Sequence, residues 1–369
     1  MRRLRTGAIT VAVLAAAVVG VFALGRPVIS ARAIGAPRPS APAASYPYGS
    51  PKFRQLVADS YAPVGAPGGE FFEWMDTHFR NRKTRSLFPG ASTLSDAIAG
   101  ERLRLSQAPG VAERTRLERK VAADLHRLVK DLIPRFSLER GYEFRNVVER
   151  GERQCLLQSV LIAALLQAIG VEAGVVMVYR NPRGEESNNG HAAALMKLPD
   201  GTDMIVDASD REPFQQHRGV FAAAGGYRFL RPQYAARSPA IVSYRGESDQ
   251  RPLRVADVRP LDLDFLRSQF WYYRGEWAEG GILAASPTKD GLRRSERDLR
   301  ASVETCPENP LAVYMLGRTY LAEGRREVAL NTLQQASVLY SQFGWVPSGP
   351  RESLARAKRE LGQRPDSRG

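Results

Sequence analysis

The sequence predicts an α+β fold, a buried helix packed on an antiparallel sheet, followed by an all-α module of helical repeats. Three stretches carry that expectation. Residues 155–169 are apolar on most sides and stop at Gly170, which reads as a buried helix. From residue 173 the apolar period changes to two, the period of strands, and turn residues interrupt it at 181–184 and 199–201. In the last third, Leu316, Gly317, Tyr320, Gly324, Ala329, Leu333 and Ala336 fall at the spacing where two antiparallel helices touch through small residues.

Taken in chain order, Met1, Arg2, Arg3 and Arg5 precede an uncharged run at 7–25, close to the roughly 20 residues a spanning helix needs. Residues 1–25 are therefore read as a signal anchor, with a cleaved signal peptide as the alternative because Ala31, Arg32 and Ala33 offer a small-x-small site. The remainder is expected outside the cytoplasm, held at the inner membrane by that segment, or secreted or periplasmic after cleavage. Residues 26–51, rich in Ala, Pro, Ser and Gly, read as a linker with too few large apolar residues to build a core.

The first domain is assigned to 52–255, with its core at 110–245. Phe71, Phe72 and Trp74 mark a helical preface. Leu117, Val121, Leu125, Leu128 and Leu132 form the stripe of an amphipathic helix over 112–132, which Pro134 stops. After the buried helix come strands at 173–179, 191–198 and 204–207, and a further one at 240–244. Residues 256–362 form the helical module, about one and a half repeats closed by a helix at 351–361. The helix due before Leu299 falls at 279–286, where glycines fit it poorly. Residues 363–369 read as a disordered tail.

The chain carries 53 Lys and Arg against 39 Asp and Glu, a net charge of +14. The excess is mostly arginine, spread along the length, without a dense basic tract or interleaved aromatics. Anionic envelope surfaces suit that pattern, and nucleic-acid binding is not expected.

The chemistry centres on Cys155, one of two cysteines in the 369 residues. At the first turn of its helix a thiol sits in the positive end of the helix dipole, which favours the thiolate that attacks acyl carbons. His191, entering a strand, would act as general base and later as general acid, and Asp207, leaving the next strand, would orient it. The hairpin register decides the carboxylate: a turn centred near Pro199 sets Asp207 opposite His191, whereas a two-residue turn at Asp200 and Gly201 sets Asp210 there. The Cys155 N–H is the natural first oxyanion donor, with Gln154 or Asn146 as the second. Ser187, Asn188, Asn189 and Gly190 either line a cleft or form a loop. A disulfide to Cys306 is disfavoured, because Cys306 lies in a helix-ending turn of the other module. His78, His126, His191 and His217 are dispersed, with no i, i+4 pairing, and no phosphate-binding G-x-x-x-x-G-K-[ST] loop occurs, so neither metal nor cofactor is expected.

Cys155 ahead of a buried helix, the passage Ala168, Ile169, Gly170, Val171, Glu172, Ala173, Gly174 entering a strand, His191, and Val206 with Asp207 closing the next strand resemble the transglutaminase-like cysteine-enzyme superfamily, a papain-like fold. The likeness covers roughly 110–245. The added module makes the whole similar to bacterial transglutaminase-like proteins that carry a tetratricopeptide module. The resemblance implies Cys155 as nucleophile, His191 as base and Asp207 as third member. It also implies acyl transfer through a thioester on a peptide or protein substrate in the cell envelope, with hydrolysis favoured over cross-linking. A de-N-glycosylating amidase is a narrower activity it allows. Two positions depart from the family pattern: Arg153 stands where glycine is common, and Ala192, Ala193 and Ala194 stand where an aromatic is common. They motivate the alternative of an inactive scaffold that binds a protein partner through its helical repeats.

Overall fold

A computed structural model describes residues 44–362. The expected anchor and disordered tail lie outside them, as does the linker up to residue 43. Among the described residues no helix is long and apolar enough to cross a membrane. Packing begins before the expected linker end. Ala44 and Tyr46 are buried, and Gln167 holds this stretch by accepting from Tyr46 N–H at 2.6 Å and donating to the Ala44 carbonyl at 2.9 Å.

The preface is two helices, α1 (Pro51–Tyr61) and α2 (Glu70–Asn81), whose Phe53 and Phe71 meet Phe144 edge to face. α3 (Leu94–Ser106) and α4 (Val111–Leu132) follow. The predicted stripe of α4 is buried from Leu117 to Leu132, and the helix ends ahead of Pro134. Strand β1 (Arg135–Phe136) passes through the short helix α5 (Phe144–Arg150) and pairs in parallel with β2 (Glu152–Arg153). That pairing fixes the chain as it enters α6 (Cys155–Ile169), which runs buried to Gly170. With φ at 99°, Gly170 adopts the left-handed turn that ends the helix.

The strands are β3 (Glu172–Arg180), β4 (Glu186–Lys197), β5 (Asp203–Val206), β6 (Gly219–Ala223), β7 (Tyr227–Tyr234), β8 (Ile241–Gly246) and β9 (Pro252–Arg254). They form one antiparallel sheet in the order β5-β4-β3-β6-β7-β8-β9, and Asp203 of β5 pairs with Ile241 of β8 to close it into a barrel. The expected meander is thus only the β3-β4-β5 portion, and β6, β7 and β9 were not expected.

Period two sorts the strands into two faces. Val176, Val178, Ala193, Leu195, Ile205 and Tyr244 belong to one core inside the barrel. Val175, Met177, Ala192, Ala194, Met196 and Val206 join the main core with α6. The small Ala192 and Ala194 let α6 approach closely, and Ser159 donates to the Ala192 carbonyl at 2.9 Å. This accounts for alanines where the resemblance leads one to expect an aromatic.

The C-terminal region is helical: α7 (Leu263–Glu276), α8 (Lys289–Thr305), α9 (Pro310–Ala322), α10 (Arg326–Gln342) and α11 (Ser348–Gly362). The helix before α8 is therefore α7, earlier than the glycine-rich 279–286. Close approach is built into both pairs. A Cβ on Gly275 would lie 2.6 Å from Leu299 Cγ, and one on Gly317 would lie 2.8 Å from Leu333 Cγ. One continuous core runs from Ala44 to Ala357, so this region shares its interior with the sheet domain.

Candidate active site

Cys155 is the first residue of α6. Gln154 caps the helix by accepting from Leu156 N–H, and so helps hold the dipole aimed at the thiol. Arg153, one of the two departures, is buried. It donates to Gln158 Oε1 at 2.9 Å and to the Ile133 carbonyl at 2.6 Å, tying the start of α6 to the end of α4.

His191 lies inside β4, opposite Val178, and not at the strand start as expected. The register shifts between Val178 and Arg180, and the extra residues bulge at 187–190 just before it. Gly190 takes φ 67°, and a Cβ there would press on Tyr179 at 3.3 Å, so the bulge is built on glycine. Bulges re-aim the side chain that follows them, which here is His191.

Neither proposed hairpin register holds. β4 and β5 pair Ala194 with Val206 and Lys197 with Asp203, centring the turn on Asp200, so that register extended to His191 falls two residues past Asp207 and one short of Asp210. Asp207 reaches His191 because the chain bends after Val206. Asp207 N–H donates to the Pro213 carbonyl at 2.9 Å, and Asp207 Oδ1 accepts from Ser209 N–H at 2.9 Å. Asp210 instead turns its carbonyl to His126 Nε2 at 3.2 Å and to Lys130 Nζ.

The structure brings Cys155, His191 and Asp207 into one line. His191 Nε2 donates to Asp207 Oδ2 at 2.8 Å, and the Cys155 thiol is the other group that interacts with the ring. Burial pushes the Cys155 thiol up. The His191 hydrogen bond and charge outweigh that, with smaller help from Ala192 N–H and Tyr273, and the thiol lies below its ordinary value. Burial pulls His191 down, but Asp207 and Cys155 together hold its imidazole well above the usual range. Burial opposes ionisation of Asp207, and the two histidines bonded to it, His191 and His217, more than reverse this. The directions are those of a thiolate–imidazolium pair backed by a carboxylate. Both cysteines are free, as expected.

A scan against protein-family models finds no match to this chain, and a search of curated proteins finds none either.

Two residues at the site were not foreseen. Tyr273, on α7, places its hydroxyl 3.7 Å from Cys155 Sγ, under a stacked Tyr142 with ring centroids 5.5 Å apart. Phe270, Trp271, Tyr272 and Tyr273 form an aromatic run, but nothing in the sequence joins it to the thiol. His217, just before β6, donates from Nε2 to Asp207 Oδ2 at 3.0 Å, and a lone histidine after two glutamines announces nothing. Asp207, Asp210 and His217 also place one donor atom each within 4.8 Å of one another, so the histidines are less dispersed than their spacing suggested. Asp207 already accepts three hydrogen bonds there.

The oxyanion candidates divide. Asn146 commits its amide to the Arg140 carbonyl at 2.7 Å, whereas Gln154 Nε2 makes only a 3.3 Å contact to the Leu138 carbonyl. The helical region closes over the far side. Glu276 of α7 accepts from Asn189 at 2.9 Å, and the start of α11 holds Asn188 through Gly349 N–H at 3.0 Å. Cys155 is left 5% exposed, while the His191 side chain keeps a quarter of its surface open.

Proposed function

We propose that this chain is a thiol-dependent acyl-transfer enzyme of transglutaminase-like, papain-like character, acting on amide or peptide bonds of a peptide or protein substrate. Its place is the bacterial cell envelope, where the N-terminal segment holds it. The observation that carries the reading is His191, hydrogen-bonded to Asp207 at 2.8 Å and electrostatically paired with the Cys155 thiol.

The Cys155 thiolate attacks the acyl carbon, and the tetrahedral oxyanion takes hydrogen bonds from Cys155 N–H and from Gln154 or Tyr273. The His191 imidazolium gives its proton to the departing amine as the C–N bond breaks, leaving a thioester. His191, now neutral, takes a proton from water as it attacks the thioester, and the acid leaves with the thiol restored. Water is the default acceptor, so hydrolysis is favoured over transfer to a second amine.

The reading is tested by incubating wild type and Cys155→Ala with a pool of short peptide amides and following amine release by mass spectrometry. Turnover by wild type alone is the expected result. Equal release by both proteins removes the proposal.

The burial of the sulfur favours a second reading, an inactive platform that recruits a protein partner through its helices. Tyr273→Ala separates the two. If Tyr273 is a cover on a working nucleophile, the substitution is expected to raise the rate of Cys155 labelling by iodoacetamide severalfold, read by peptide mass spectrometry. Slow labelling in both proteins, at the rate of an ordinary buried thiol, supports the platform.

A further inference from the structure

One carboxylate serves two imidazoles. Asp207 Oδ2 accepts from His191 Nε2 at 2.8 Å and from His217 Nε2 at 3.0 Å, with the two ring centroids 6.1 Å apart. The rings differ in what lies on their other side. His191 interacts with the Cys155 thiol and is partly open to solvent, whereas His217 is buried and its Nδ1 has no hydrogen-bond partner among the described residues. A carboxylate only accepts, so Nε2 of His217 is the donor in its contact with Asp207. That contact fixes which ring nitrogen donates. The backbone of His217 is set too, because Tyr234 donates to the His217 carbonyl at 2.7 Å.

We propose that His217 is a positioning residue. It donates to Asp207 Oδ2 and holds that carboxylate turned toward His191, and so supports the Cys155–His191 pair. The inference rests on the acyl-transfer reading of the same site. Besides Asp207 and His191, the charged and titratable groups around this point are His126 and Lys130 on α4, Asp210 and Glu212 on the loop after β5, and Arg153 ahead of α6. None of these donates a side-chain hydrogen bond to Asp207 Oδ2 among the described residues, so none replaces His217 when its donor is removed.

The test measures the rate of Cys155 alkylation by iodoacetamide against pH, resolved by peptide mass spectrometry, in wild type, His217→Leu, His217→Asn and His217→Gln. Glutamine carries its amide N–H near the position of Nε2, while leucine has no donor and asparagine is too short to place one there. The expected result is a wild-type profile, with reactivity persisting below the ordinary thiol range, that His217→Gln retains. In the leucine and asparagine variants the rise moves up by about one pH unit and the rate at pH 7 falls about tenfold. A merely structural role lowers the unfolding midpoint without moving the profile. Profiles for leucine and asparagine that superimpose on wild type overturn the proposal, and if the leucine variant does not fold, the asparagine and glutamine pair decides. A wild-type Cys155 that itself titrates as an ordinary thiol overturns the acyl-transfer reading, a different outcome from the failure of His217 alone.

Discussion

Replacing His191 with alanine is expected to lower acyl transfer by about 10² to 10⁴-fold, the range for loss of a general acid–base group. It is also expected to slow Cys155 alkylation at pH 7 by about 30-fold or more. The sign follows from the balance at the sulfur. Burial raises the thiol, and His191 is the larger of the influences that bring it down. With the imidazole gone, burial is opposed only by the smaller contributions of Ala192 N–H and Tyr273, and the thiol moves up. Even an unperturbed thiol of pKa about 8.5 is only about 3% thiolate at pH 7. Reactivity that persists below pH 7 in wild type should therefore appear in the variant only at higher pH. A stopped-flow alkylation series across pH reads both effects.

Arg274→Met is expected to destabilise the protein by about 3–5 kcal/mol, because it strands a buried carboxylate. Arg274 on α7 donates to both oxygens of Glu143, at 2.6 and 3.1 Å, and each side chain is only 9% exposed. This pair joins the helical region to the segment ahead of α5. It lies one residue from Tyr273, so weakening it also loosens the cover on the thiol. The double variant Arg274→Met with Glu143→Gln removes the stranded charge and should recover most of the loss. Urea unfolding of the two single variants and the double variant gives the three values. A single variant as stable as wild type contradicts the assignment of this pair as a buried, mutually dependent contact.

Much of the fold was readable wherever a period ran long enough. Residues 155–169 and 112–132 match α6 and α4 within a residue, because each carries an unbroken apolar pattern with a clear stop, Gly170 in one and Pro134 in the other. β6 and β7 were missed because Gly219 weakens one short strand and Arg228, Arg231 and Pro232 interrupt the other. Barrel closure was not readable at all, since it rests on one pairing between Asp203 and Ile241, 38 positions apart (241 − 203).

The same division holds at the site. Cys155, His191 and Asp207 each sat on a recognisable element, and the structure brings them together. The hairpin register fell between the two expected values, and only the bend after Val206 delivers Asp207 rather than Asp210. Tyr273 and His217 arrive from elements distant in sequence, where tertiary packing alone decides what they touch.

The central claim, that Cys155 is a nucleophile made competent by His191 and Asp207, is tested most directly by pre-steady-state acylation with p-nitrophenyl acetate. The expected result is a burst of about one equivalent of p-nitrophenolate per folded chain, with the acetyl group found as a hydroxylamine-labile thioester on Cys155 and no burst from Cys155→Ala. The absence of a burst in wild type, or equal acetylation of Cys155→Ala at other residues, contradicts the account.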